Sequence, residues 1–180
     1  YEEYFERYYE PDFSCRNRIM VDLVVNLHGK VCANLIRKIA EVFYESYNPM
    51  FKDSFETHME EFESHFQNVT KTFLGSLTNT ERTWYNSLKG REQDAFRICR
   101  DFAGYGSEEF PPPKFILSCH ELGKRLEVND AIAQRILRRF RRVKFMKMLR
   151  KGTRRARGQR GRATLWRWNL SLREPSPTPT

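Results

Sequence analysis

"LSCHELGKRLEVNDAIAQRILRRF", residues 117–140, decides how the second half of the chain folds. Ser118 stands three residues before Glu121, the spacing of a capping box, and opens a helix in which Leu122 and Leu126 face inward. Glu127-Val128-Asn129 makes a tight corner, and Asn129 is suited to cap the next helix. In that helix Ile132, Ala133, Ile136, Leu137 and Phe140 recur on one side. Gln134, Arg135, Arg138, Arg139 and Arg142 fall largely on the other. The spacing predicts a helix-turn-helix whose second helix turns a polar, basic face outward.

The residues that follow extend this unit. "VKFMKMLRKG", residues 143–152, is apolar and basic and predicts a strand. "TRRARGQRG" is a loop, and "RATLWRWNL", residues 162–170, returns as a second strand. By the two-residue period Thr164, Trp166, Trp168 and Leu170 share one face, opposite Leu165, Arg167 and Asn169. The tryptophans read as core rather than as exposed stackers. The glycines let the loop bend, and an apolar strand on each side makes it a shaped basic loop rather than a free tail.

Working backward, residues 104–113 ("GYGSEEFPPP") form a stiff connection, since proline cannot continue a helix. "KFIL", from Lys114, fits one short buried strand. Before it lies an amphipathic helix from Arg91 to Ala103, with Ala95, Phe96, Cys99 and Phe102 inward. The first half reads as further helices: from Arg16 to about Leu27, then to about Tyr47, from about Asp53 to Leu74, and a short one capped by Thr78 or Asn79. The fold class expected is mostly α with a small antiparallel β-hairpin. The organisation expected is a helical region over residues 1–88, a second domain over 89–173 and a disordered tail over 174–180. The N-terminal helices serve as a spacer, a dimerisation unit or a dock for an upstream domain. The chain opens on Tyr1 rather than methionine, so a longer parent protein is expected.

Charge separates the two halves. The net charge is +9, yet residues 1–110 carry 13 Lys and Arg against 19 Asp and Glu, whereas residues 111–180 carry 19 against 4. A basic block of this kind points to a polyanionic partner for the second half alone. Within it, Asn129, Asp130, Gln134, Arg135, Arg138, Arg139 and Arg142 are the candidates for reading DNA from a helix in the major groove. There Arg pairs with guanine and Gln with adenine. Lys151, Thr153, Arg154, Arg155, Arg157, Arg160 and Arg162 are the candidates for holding the phosphate backbone from the loop.

The order helix, strand, helix, turn, helix, strand, basic loop, strand over residues 91–170 resembles the winged helix-turn-helix family. "ELGKRLEVNDAIAQRILRRF" carries that family's Leu-x-x-x-Leu-x-Val, a capping residue, then a small residue (Ala133) inside the second helix. It departs at the corner, where Glu127 stands in place of the family's frequent glycine, which leaves the turn geometry open. The resemblance implies a winged helix domain that binds duplex DNA. More distantly the segment, with "REQDAFRICRD", is similar to C-terminal regions of replication or primase-like proteins of bacterial mobile elements. That likeness implies a module of a DNA replication or transcription-regulating protein, or the accessory end of a primase- or helicase-type enzyme. Winged helices also dock proteins, which is a third reading.

Other chemistry finds little footing. Cys15, Cys32, Cys99 and Cys119 are widely spaced without a C-x-x-C pair, and reduced, buried thiols are expected. His58, Glu61 and His65 lie within two turns of one helix but flank an aromatic stripe, so no metal site is expected. There is no phosphate-binding glycine loop and no readable catalytic triad. The expectation is a DNA-binding, non-enzymatic piece of a cytoplasmic protein that needs no cofactor and does not engage a membrane. DNA is the partner, duplex favoured, with an upstream domain or a second copy meeting the N-terminal helices.

Overall fold

Side-chain caps fix where helices begin, among them those of Thr78, Ser118 and Asn129. In a computed structural model, which describes residues 16–47, 53–105, 111–153 and 163–169, Thr78 accepts from the Glu81 amide. The Glu81 carboxylate reaches back to the Thr78 amide, which completes a capping box. Ser118 and Asn129 likewise accept from the amides of Glu121 and Ile132, each at 3.0 Å. At Ser118 the box is half made, because the Glu121 carboxylate turns instead to Arg125, 2.7 Å away.

Among the described residues there are seven helices and three strands: α1 (Arg16–Leu27), α2 (Ala33–Tyr47), α3 (Phe55–Gly75), α4 (Asn79–Ser87), α5 (Arg91–Tyr105), β1 (Lys114–Ile116), α6 (Cys119–Leu126), α7 (Asp130–Arg142), β2 (Met146–Arg150) and β3 (Leu165–Trp168). The chain is thus mostly α with a small antiparallel sheet. No described helix is long and apolar enough to cross a membrane.

The chain divides into two compact units. In the first, α1, α2 and α3 bury Met20, Leu23, Val24, Ile36, Phe43 and Phe62. Two buried histidines are built into it. His58 donates from Nε2 to the Ala40 carbonyl, and His28 shares a 3.1 Å hydrogen bond with Thr70 between the rings of Phe66 and Phe73. Phe55, the first residue of α3, is 40% exposed and lies against the edge of Tyr44.

The second unit takes in α4 and everything after it, together with Gly29–Cys32. The division therefore falls before α4, not after it at residue 88 as expected from the sequence. The reason is visible in the packing. Trp84 of α4 lies on Phe145, and Glu81 of α4 accepts from the indole of Trp168 at 3.1 Å. Gly29–Cys32 joins through its backbone, with Cys32 N–H donating to the Arg125 carbonyl and the Arg125 guanidinium donating to that of Lys30.

The sheet of this unit has the order β1-β3-β2, every pair antiparallel. The expected hairpin is present, and β1 joins it as a third strand. Phe115 pairs with Trp166, and Met146 and Met148 pair with Trp168 and Trp166. Their shared face closes on α5 and α7. At the centre Phe96, fully buried, meets Tyr85, Phe140, Phe145 and Trp168 edge to face. Both strand tryptophans are buried, and each satisfies its N–H inside the protein, Trp166 on the Leu117 carbonyl and Trp168 on Glu81. Cys32 and Cys99 are buried, and burial pushes the Cys99 thiol up to about 12; Cys119 is part-exposed.

Burial alone would raise the Glu81 carboxyl. The Thr78 amide, the Arg100 charge and the Trp168 indole outweigh it and hold the carboxyl below its ordinary range. A folded-state pKa below the unfolded value of about 4.3 contributes stability above that pH, and the contribution is lost as pH falls through the folded value. Glu81→Gln is therefore expected to lower the unfolding free energy at neutral pH by about 1–3 kcal/mol. It should also flatten the decline in stability below about pH 4.3. Urea titrations from neutral to acid pH measure both, and parallel acid limbs in the two proteins would contradict the assignment.

Candidate nucleic-acid interface

The corner between α6 and α7 sets the angle at which α7 is presented. Glu127 is left-handed (φ 53°, ψ 45°), its amide donates to the Lys124 carbonyl, and the Val128 amide donates back to the Gly123 carbonyl at 2.9 Å. These are the two bonds of a Schellman ending. The corner where the sequence carries glutamate is thus the one where glycine would be easier, and the strain is accepted. Gly123 answers a different demand. A Cβ there would stand 2.8 Å from the Val128 carbonyl oxygen, so only glycine lets the corner fold back so tightly.

From that corner α7 turns Ala133, Ile136, Leu137 and Phe140 inward and leaves Gln134, Arg135, Arg138, Arg139, Arg141 and Arg142 exposed. The candidates named from sequence separate into two groups. Asn129 has its side-chain oxygen committed to the cap, Asp130 lies 3.2 Å from His120, and Arg139 is bonded to Glu92 of α5 at 2.7 Å. Gln134, Arg135, Arg138 and Arg142 point outward, and the three arginines have no acidic partner among the described residues. Asp130 in the first turn and Arg139, Arg141 and Arg142 in the last complement the helix dipole. Arg135 and Arg138 sit between the ends, where the dipole gives no reason for charge.

Of the basic loop, Lys151 and Thr153 are exposed, and the loop's base is closed by the Gly152 amide donating to the Thr164 hydroxyl at 3.2 Å. Arg154, Arg155, Arg157, Arg160 and Arg162 lie outside the described residues. Exposed cations that the sequence reading left unassigned line a groove beside the same strands: Arg141, Lys144, Lys147 and Arg167. The alternation in "LWRW" already turned Arg167 away from the tryptophans, but nothing local told which residues stand beside it.

The helical run of His58, Glu61 and His65 is not arranged for a metal, since His58 is turned into the core. Among the described residues no group of three or more His, Cys, Asp and Glu is placed to hold an ion.

The chain matches no family model, and comparison with curated proteins and with solved structures returned no match.

Helix propensity favours Ala over Gly in α6 by about 1 kcal/mol, but the close approach of Val128 overrides it. Gly123→Ala should destabilise the second unit by about 1–3 kcal/mol. Glu127→Gly should leave stability unchanged or raise it by up to about 1 kcal/mol, because relief of the left-handed strain exceeds glycine's entropic cost. Denaturant midpoints with unchanged m-values give the comparison, and the opposite ranking would overturn this account of the corner.

Proposed function

We propose that the second unit is a nucleic-acid-binding module of winged helix-turn-helix type that takes duplex DNA. In this reading α7 enters the major groove and the loop between β2 and β3 holds the backbone. The observation that carries it is the mid-helix pair Arg135 and Arg138, with Gln134 beside them. They form an exposed basic face on a capped helix whose other side is locked into the core. The element order α5-β1-α6-α7-β2-β3 with the sheet order β1-β3-β2 supports the same reading. So does the placing of the arginine-rich residues between two paired strands. Arg139 is removed from the working face, because Glu92 occupies it, and Asn129 and Asp130 serve the helix start. No catalytic step is assigned to these residues. The protein works in the cytoplasm, as part of a larger replication or regulatory protein.

Phosphate contacts set affinity and register, while base-edge contacts set preference. Arg135→Gln or Arg138→Gln should cost about 1–3 kcal/mol on a preferred duplex and relax the preference at one position. Arg139→Gln should cost much less. Neutralising Arg154, Arg155 and Arg157 together should weaken binding to every duplex and flatten the salt dependence by about one unit for each phosphate set free. Fluorescence anisotropy over a series of salt concentrations reads all of these. Duplex binding that ignores Arg135 and Arg138 would remove α7 from the interface, and no binding near physiological salt would favour a protein-docking role.

A further inference from the structure

Residues directly opposite each other in antiparallel strands point to one face of the sheet. The register therefore sets Lys114, Arg167 and Lys147 in a single row across all three strands. Arg167 and Lys147 are exposed, Lys114 is partly so, and none has an acidic partner among the described residues. With strands about 4.8 Å apart, three like charges fall within about 10 Å. Such neighbours repel one another and weaken the sheet unless an anion lies across them. Lysines on β1 and β2 can be explained as guards against edge pairing, since both are edge strands. Arg167 on the central strand cannot.

Next to this row Arg141, Lys144, Lys147 and Arg167 surround a groove of about 470 Å³, with Met148 and Trp168 in its apolar wall. Lys144 adds an independent observation. It holds a left-handed backbone (φ 63°) in the turn from α7 to β2, fixed by its amide on the Arg141 carbonyl and by Asn169 Nδ2 donating to its own carbonyl at 3.0 Å. Glycine would adopt that conformation at less cost, so the fold accepts strain to keep a side chain here. The side chain it keeps is a cation on the groove.

We propose that this groove is a second nucleic-acid surface, beyond the C-terminal end of α7, and that it takes the phosphodiester backbone of a single strand. The cations meet phosphates, and the part-exposed Met148 offers bases an apolar contact, the pairing of charge with apolar surface that single-strand grooves use. A groove of about 470 Å³ is of the size that holds a nucleotide or two. The assignment does not require α7 to touch DNA.

The test measures binding of the full chain to a labelled oligothymidine of about 12 nucleotides and to a duplex, each over a range of salt. Two variants are compared, Lys144→Gly with Lys147→Gln and Arg167→Gln, and Arg135→Gln with Arg138→Gln. The first should bind oligothymidine roughly tenfold more weakly, with its salt slope flattened by about two units, as removal of three phosphate-binding cations requires. Its melting temperature should hold or rise, since a left-handed lysine and a like-charge pair have gone. The second should lose duplex and keep oligothymidine. Wild-type protein that ignores oligothymidine at low salt, or a groove variant that binds it unchanged, overturns the proposal. So does a groove variant that loses duplex alone. If the groove variant is poorly folded, Lys147→Gln with Arg167→Gln, which leaves the turn intact, must show the same direction of change. Duplex binding indifferent to Arg135 and Arg138 would instead remove the reading of α7 and leave this one standing.

Discussion

The indole of Trp168 donating to Glu81 is the bond on which the second unit depends. It ties the last strand to the first helix of that unit, 87 residues earlier in the chain. Around it the Glu81 carboxylate also takes the Thr78 amide and Arg100, so a buried charge is matched on several sides. Left unmatched, a carboxylate at that depth would cost more than the helix cap returns. With it matched, Phe96 has Tyr85, Phe145 and Trp168 at fixed edges, and the sheet is seated on α5. Every exposed cation on β2 and β3 takes its position from that seating.

Much of this architecture was legible in the chain because its signals are local. Thr78, Ser118 and Asn129 mark helix starts within three residues of the amides they satisfy. The period-two alternation of "LWRW" put both tryptophans inward, and both are buried. What could not be read is where distant segments meet. Nothing near Phe115 says that β1 will pair with β3, and nothing near Trp84 says that α4 belongs with Phe145 rather than with the helices before it. Arg139 was indistinguishable in sequence from Arg135 and Arg138; only the approach of α5, bringing Glu92, separates them. Arg97 makes the same point from the inside. It is 2% exposed beside Asp94, a fate that no spacing of charges forecasts.

The electrostatic arrangement is costly to the fold taken alone. Arginines crowd one helix face, and three cations cross the sheet in register, at positions where a protein optimised for stability would alternate signs. Salt weakens such repulsion, and so does any polyanion laid across it. The second unit is thereby held in a condition in which its charge and its stability favour different surroundings.

Glu127 and Lys144 have a consequence beyond their separate strains. They are the two left-handed non-glycine residues among those described, and they flank α7, Glu127 three residues before its start and Lys144 two residues past its end. Glycine at these joints would allow many backbone geometries. A side-chain-bearing residue allows few, and so removes freedom from the unfolded chain as well as from the folded one. α7 is consequently hung between two stiff joints with no hinge at either end. Its orientation on the core is settled before any ligand arrives, and none of the free energy of association has to be diverted to aiming it.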